Sequence, residues 1–165
     1  MPSMITRQVI EFARTEFRLE WNGIHGAPHW SRVRHNGLLL AQLTGANTRV
    51  IEYFAFLHDL GRENDYHDPE HGCRAADIAE NIAGDLISVT GEELALLMTA
   101  CRGHSDGHLV ADVTVMTCWD ADRLDLARVG IEPRPARLCT QPARARDFLE
   151  AAVRRSLERR VAKER

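Results

Sequence analysis

"VIEYFAFLHDLGREND", residues 50–65, is an apolar run broken only by Glu52 that leads straight into a His–Asp doublet and a glycine. Two readings compete for it. Its β-branched and aromatic residues suit a buried strand, whereas its length and its neighbours favour a helix. Asn47 or Thr48 stands where such a helix needs a cap. Read as a helix, the stretch carries His58 and Asp59 to its C-terminal end, facing the polar segment "GRENDYHDPE" (61–70). That segment is longer than a turn requires and rich in functional groups, the character of a site loop. The two side chains of a His–Asp doublet diverge, so each, once buried, needs its own partner.

The neighbouring segments repeat the helical pattern. "MITRQVIEFARTEFRLEW" (4–21) has apolar residues at a 3.6-residue period, and "NGIHGAP" (22–28) is a loop by its Gly and Pro content. A second helix is expected from about Pro28 to Thr44, ended by "GAN". Beyond the polar loop come "HGCRAADIAENIA" (71–83) and "TGEELALLMTAC" (90–101), the latter opening on a Thr90/Glu93 capping box. "DVTVMTCWDADRLDLARVG" (112–130) reads as one further helix closed by Gly130. "IEPRPARLCTQPA" (131–143) is irregular, and a last helix runs from about 143 to 163. The expectation is all-α: a single domain, residues 1–165, forming a compact bundle of six to seven helices.

A chain of 165 residues can bury a core without disulfide or metal staples, so a metal here would serve function rather than fold. The net charge of −3 offers no footing for a nucleic-acid backbone. No apolar stretch reaches the length of a membrane span, and the N-terminus lacks the pattern of a secretory leader, so a cytoplasmic protein is expected. The four cysteines are scattered and none forms CxxC; they read as reduced, small apolar residues. The C-terminal "DFLEAAVRRSLERRVAKER" is basic and amphipathic, with Phe148, Leu149, Val153 and Leu157 on one face. A docked helix with a solvated charged face is the preferred reading over a nucleic-acid or membrane contact.

Several His and Asp residues gather at the expected junctions: His29, His58, Asp59, His71, His104, Asp120, Asp122 and Asp125. Imidazole and carboxylate together suit Mn, Mg, Zn, Ni or Fe. The bland alternatives are specific. A lone His at a helix end is commonly a cap or a surface residue, the reading given to His25, His35, His67 and His108. Asp122, in the apolar setting "WDADRLDL", needs a partner, and Arg123 could pair with it or with Asp120.

The order "PHWSRV" (28–33), "LHDLG" (57–61) and "ADRLD" (121–125) resembles the HD-domain superfamily of metal-dependent phosphohydrolases, over residues 25 to about 128. The resemblance implies that His29, His58, Asp59 and Asp122 hold a divalent ion. Members with two metals add two histidines between the doublet and the last Asp, and His71 and His104 are similar in position and context. They would hold a second ion, with Asp59 bridging, or else contact substrate phosphate. The acidic pair that follows the doublet in guanosine tetraphosphate hydrolases is replaced by Arg62 and Glu63, and the "GYP" signature of cyclic-di-GMP enzymes is absent.

The implied activity is hydrolysis of a phosphate ester or anhydride, with a small nucleotide-like substrate, by metal-activated water. Asp59, Arg62 and Glu63 are the expected catalytic set. Arg62 offers a planar fork for phosphate, its competing partners being Glu63 and Asp65. Arg62, Asp65, His71 and His104 are the expected substrate contacts. Glu63, Asp65 and Asp68 are candidates for proton transfer, and Asp125 would orient a ligand or Arg123 from one turn away. Two alternatives keep the fold: a di-iron oxygenase sharing the six-ligand set, and a non-catalytic nucleotide-binding module. A homodimer is left open.

Overall fold

The computed structural model describes the backbone of residues 3–163 and the side chains of residues 3–158. It is all-helical. The elements are α1 (Arg7–Glu16), α2 (Ala27–Thr44), α3 (Thr48–Leu57), α4 (His71–Ile82), α5 (Gly91–Gly103), α6 (Val113–Arg123), α7 (Gln141–Arg144) and α8 (Arg146–Lys163). Two 3-10 turns, Leu126–Val129 and Pro135–Arg137, lie between α6 and α7.

Local chemistry sets the helix starts. Asn47 caps α3 by accepting from the amides of Arg49 and Val50, and Thr90 and Glu93 form the reciprocal capping box of α5. Asp112 caps α6 through the Thr114 amide. These satisfy N–H groups that helix geometry leaves without partners.

The core sits among α2 to α6. α2 packs along α3 and α6, and α4 along α5. Trp30, Phe54, Ile51, Leu57, Leu60 and Leu97 are among its largest fully buried side chains. Two glycines let the site-bearing ends approach. A Cβ on Gly61, just after the doublet, would lie 2.9 Å from both the Ala75 amide and the His71 carbonyl. A Cβ on Gly72 would lie 2.5 Å from the Cys101 carbonyl. Backbone cannot yield as a flexible side chain can, so both positions require glycine. The first brings Asp59 against α4; the second brings the start of α4 against the end of α5.

Some boundaries depart from expectation. α1 stops at Glu16, because Phe17 turns extended and packs edge-on to Trp30, ring centroids 4.9 Å apart. The expected helix 112–130 is broken after Arg123 into α6 and a 3-10 turn, closed at Gly130 in the left-handed region. The last helix starts at Arg146, after the separate short α7. α8 docks through Phe148, Leu149 and Ala152 onto Leu40, Leu124 and Leu138. Ser156 completes the buried face, whereas Leu157, expected there, is exposed. The basic residues 159–165 lie outside the described side chains. All four cysteines are free, and burial pushes the Cys101 and Cys118 thiols up. Among the described residues no helix is long and apolar enough to cross a membrane.

Candidate metal centre

His58 and Asp59 follow the last residue of α3, where the chain closes into successive turns (Leu60 N–H to Leu57 O, Arg62 N–H to Asp59 O). His29 lies in the first turn of α2, His71 opens α4, His104 follows α5, and Asp122 sits in the last turn of α6. Five helix ends therefore meet at one point. His29, His58, Asp59, His71 and His104 are buried, and the Asp122 side chain is 17% exposed.

The Asp59 carboxylate divides the cluster. Its Oδ2 lies 3.6 Å from His29 Nε2 and 3.5 Å from His58 Nε2. Its Oδ1 lies 3.4 Å from His71 Nε2 and 3.6 Å from His104 Nε2. Asp122 Oδ1 joins the first half, 3.2 Å from His29 Nε2 and 3.7 Å from His58 Nε2. The buried groups that could hold a metal ion follow the same division: His29, His58 and Asp59 on one side, and Asp59, His71 and His104 on the other. His58, His104 and Asp122 form a third such group that crosses it.

Each histidine has its other ring nitrogen committed. His29 Nδ1–H donates to Asp125 Oδ2 at 2.7 Å. His58 Nδ1–H donates to the Phe54 and Ala55 carbonyls, His71 Nδ1–H to the Asp68 carbonyl, and His104 Nδ1–H to the Cys101 carbonyl at 2.7 Å. These acceptors place the proton on Nδ1, leaving Nε2 as a lone pair. Yet His29 Nε2 lies 3.1 Å from His58 Nε2, and His71 Nε2 lies 2.8 Å from His104 Nε2. Two lone pairs at such distances repel, with carboxylate oxygens beside them. Each pair needs a cation between its members, a proton or a metal ion.

The electrostatics agree. Burial pushes His58 down to about 3, and Asp59 and Asp122 only partly offset that. Burial and His104 lower His71. His104 is held up, against burial, by Asp59 and Asp122, so a proton on the second pair resides on His104. Burial would raise the Asp59 carboxyl, but His58, His104 and His25 hold it well below the ordinary range. Asp122 is likewise held low, against burial, by His29 and His58. Ionised carboxylates beside bare imidazole nitrogens are the donor set of a divalent cation.

The structure thus brings together His29, His58, Asp59, His71, His104 and Asp122. Arg62 donates from Nε to Asp59 Oδ1 at 2.9 Å, so its partner is the doublet itself rather than Glu63 or Asp65. Glu63 pairs with Arg18 at 3.0 Å and is not part of the cavity wall; Asp65 is. Asp68 accepts from the Glu63 amide and from Arg74. Asp125 accepts from His29, Arg32 and Ser156, and does not pair with Arg123. Nor does Arg123 pair with Asp120 or Asp122: it donates to the Arg137 carbonyl and contacts Cys139 Sγ. Asp120 instead accepts from Cys139 N–H and from the amide and hydroxyl of Thr140, pinning the proline-rich segment.

His25 overturns its assignment as a cap or surface residue. It is buried, and its Nδ1 lies 3.0 Å from Asp59 Oδ2. No periodicity could reveal this, because loop turns between Glu20 and Ala27 carry it over the doublet. His35, His67 and His108 are exposed.

A cavity of about 730 Å³ opens onto the cluster, lined by Asp59, His104 and Asp122, by His25 and Arg62, and by an apolar wall that includes Ile24, Leu126 and Leu138. That volume falls in the range that holds small organic ligands. Comparison with protein-family models, curated proteins and solved structures finds no match to the chain.

Proposed function

We propose that this chain is a metal-dependent phosphohydrolase of the HD-domain type, acting on a small phosphorylated, nucleotide-like compound. One observation carries the reading: four imidazoles whose Nδ1–H groups are already donated turn their Nε2 atoms toward two ionised carboxylates in two close pairs, each of which needs a cation between its members. More acceptor atoms face inward than protons can serve, and divalent cations are what such a set holds.

A divalent ion bound there supplies Lewis-acid polarisation of a phosphoryl group and acidifies water. The chain's own groups do the rest. Asp59 spans the two halves, and Arg62 and His25 fix its two oxygens from opposite sides. Arg62 lines the cavity wall, and with Nε on Asp59 and NH1 on the Tyr66 carbonyl it keeps NH2 for an anion. Asp65 is the acidic side chain of the wall outside the cluster, the group placed to exchange a proton with solvent. The apolar wall excludes water from one side of the substrate.

The test is metal analysis of the purified protein alongside hydrolysis of aryl phosphates and nucleotides. Bound Mn, Mg, Zn or Ni with phosphate release, both lost in His58→Ala and Asp59→Ala, is the expected result. Metal retained in both variants would sink the assignment, as would a fully metallated protein inert toward every phosphoester. Two irons with an oxygen-dependent spectrum would replace it with the oxygenase reading.

A further inference from the structure

Arg123 is an arginine in a setting where arginines are usually paired. It is buried, 8% exposed, in the wall of the cavity that opens onto the candidate metal centre. Among the described residues it forms no ion pair. One of its terminal nitrogens, NH1, is used by the Arg137 carbonyl and Cys139 Sγ. The other, NH2, is buried with no hydrogen-bond partner. The guanidinium lies 5.7 Å from the Trp119 ring centroid, a cation–π contact, but a buried guanidinium with no anion beside it stays costly, and its residue lines the cavity a ligand would enter.

Its surroundings share that charge. Arg134 and Arg137 line the same cavity, are exposed, and form no ion pair among the described residues. Arg128 lines it too, but is engaged with the Ile24 and Asp125 carbonyls. The wall's aspartates are Asp59 and Asp122, both in the metal cluster, and Asp65. Positive charge on the Arg123 side is thus left without a protein counter-ion.

We propose that Arg123, with Arg134 and Arg137 at the mouth, is a phosphate subsite distinct from the metal ligands, and that the substrate carries a second phosphate there. The substrate class is then a bisphosphorylated small molecule: one phosphoryl group at the metal cluster, the other on the arginines, the organic part against the apolar wall. The phosphate at the cluster rests on the phosphohydrolase reading; the arginine subsite does not. Phosphate is favoured over carboxylate because three arginines without ion-pair partners among the described residues line one cavity, and phosphate brings about two negative charges and three acceptor oxygens.

The experiment begins with inorganic phosphate and metal-stripped protein at pH 8, where no metal contributes and any charge on the histidine cluster is common to wild type and variant. Calorimetry should find phosphate binding, weakened at least tenfold in Arg123→Met, with far-UV circular dichroism unchanged. Succinate should bind more weakly than phosphate. Equal phosphate affinity in wild type and a folded Arg123→Met would overturn the subsite, and tighter succinate binding would overturn its phosphate assignment. If Arg123→Met does not fold, Arg123→Lys and the exposed double variant Arg134→Ser/Arg137→Ser decide. Each should lose several-fold in phosphate affinity, and unchanged affinity in both would overturn the proposal. With metal restored, kcat/KM for a nucleoside bisphosphate should fall at least tenfold further in Arg123→Met than kcat/KM for an aryl phosphate. Equal losses would overturn the second-phosphate claim. A protein that hydrolyses neither compound but loses phosphate binding in Arg123→Met defeats the hydrolase reading and leaves the subsite standing.

Discussion

The Nε2 atoms of His71 and His104 face each other at 2.8 Å, while the Nδ1–H of each is held by a backbone carbonyl. Without a metal, the charge between them is a proton, and His104 holds it because Asp59 and Asp122 outweigh its burial. A metal ion entering this half of the site must displace that proton. Titration of the metal-free protein with Mn²⁺ or Zn²⁺ near pH 6.5 is therefore expected to release about one proton as the His71/His104 half fills. Calorimetry in buffers of different ionisation enthalpy checks it: an apparent enthalpy that ignores the buffer would contradict the pairing.

The two oxygens of Asp59 serve opposite halves of the cluster, so the variants differ in stoichiometry. Wild type is expected to bind two ions, and Asp59→Ala neither tightly. His71→Ala should keep the ion held by His29, His58 and Asp122; His29→Ala should keep the other. Saturating metal at about a hundred times Kd should stabilise the wild type by about 2.7 kcal/mol for each site filled. In a domain of this size that raises Tm by roughly 5–10 °C. Equal metal content in His71→Ala and wild type, by elemental analysis, would argue for a single site in the other half.

Much of this was legible because local rules decide it. The caps at Asn47 and Thr90 sit where side-chain chemistry places them. The residues that resemble the HD pattern meet because each lies at a helix end. What was not legible depends on contacts distant in sequence. α6 ends early where Asp125 is drawn to His29 and Arg32, more than ninety positions away. His25 reaches Asp59 only through the path of its loop. Arg123 looked like a partner for Asp120 or Asp122, but Cys139 and Thr140 satisfy Asp120 and the histidines surround Asp122.

The metal-free protein should lose stability in acid earlier than carboxylates alone would dictate. Burial lowers His58 to about 3 from 6.5, so the unfolded chain binds its proton first. Stability from this group is complete above 6.5 and is lost as pH falls from there toward 3, on the order of several kcal/mol. Asp59 and Asp122, held below their ordinary 3.8, act in the same direction but only below about pH 4. His104, raised, opposes them: its contribution is present below 6.5 and fades as pH rises above it. Urea midpoints between pH 7 and 4.5 should fall steadily, and His58→Gln should flatten the slope. An equal slope in that variant would mean that His58 is not the neutral buried group described.

Asp125 ties the C-terminal helix to the cluster. It is fully buried, accepts from His29 Nδ1–H at 2.7 Å, and is held in turn by Arg32 and by the Ser156 hydroxyl of α8 at 2.5 Å. A carboxylate behind a ligating imidazole fixes its tautomer and makes the facing nitrogen a better donor. Asp125→Asn keeps the shape but removes the charge, and its amide can present a hydrogen where His29 needs an acceptor. Metal affinity should fall by about 10–100-fold, with the second ion, on His71 and His104, little affected. Ser156→Ala removes one charge-assisted hydrogen bond and leaves Arg32 in place, so a loss of about 1–2 kcal/mol in stability is expected, with a smaller loss of affinity. Competition with a chromogenic chelator measures both variants. If Ser156→Ala weakened metal binding more than Asp125→Asn, α8 would be acting on the centre by a route other than Asp125.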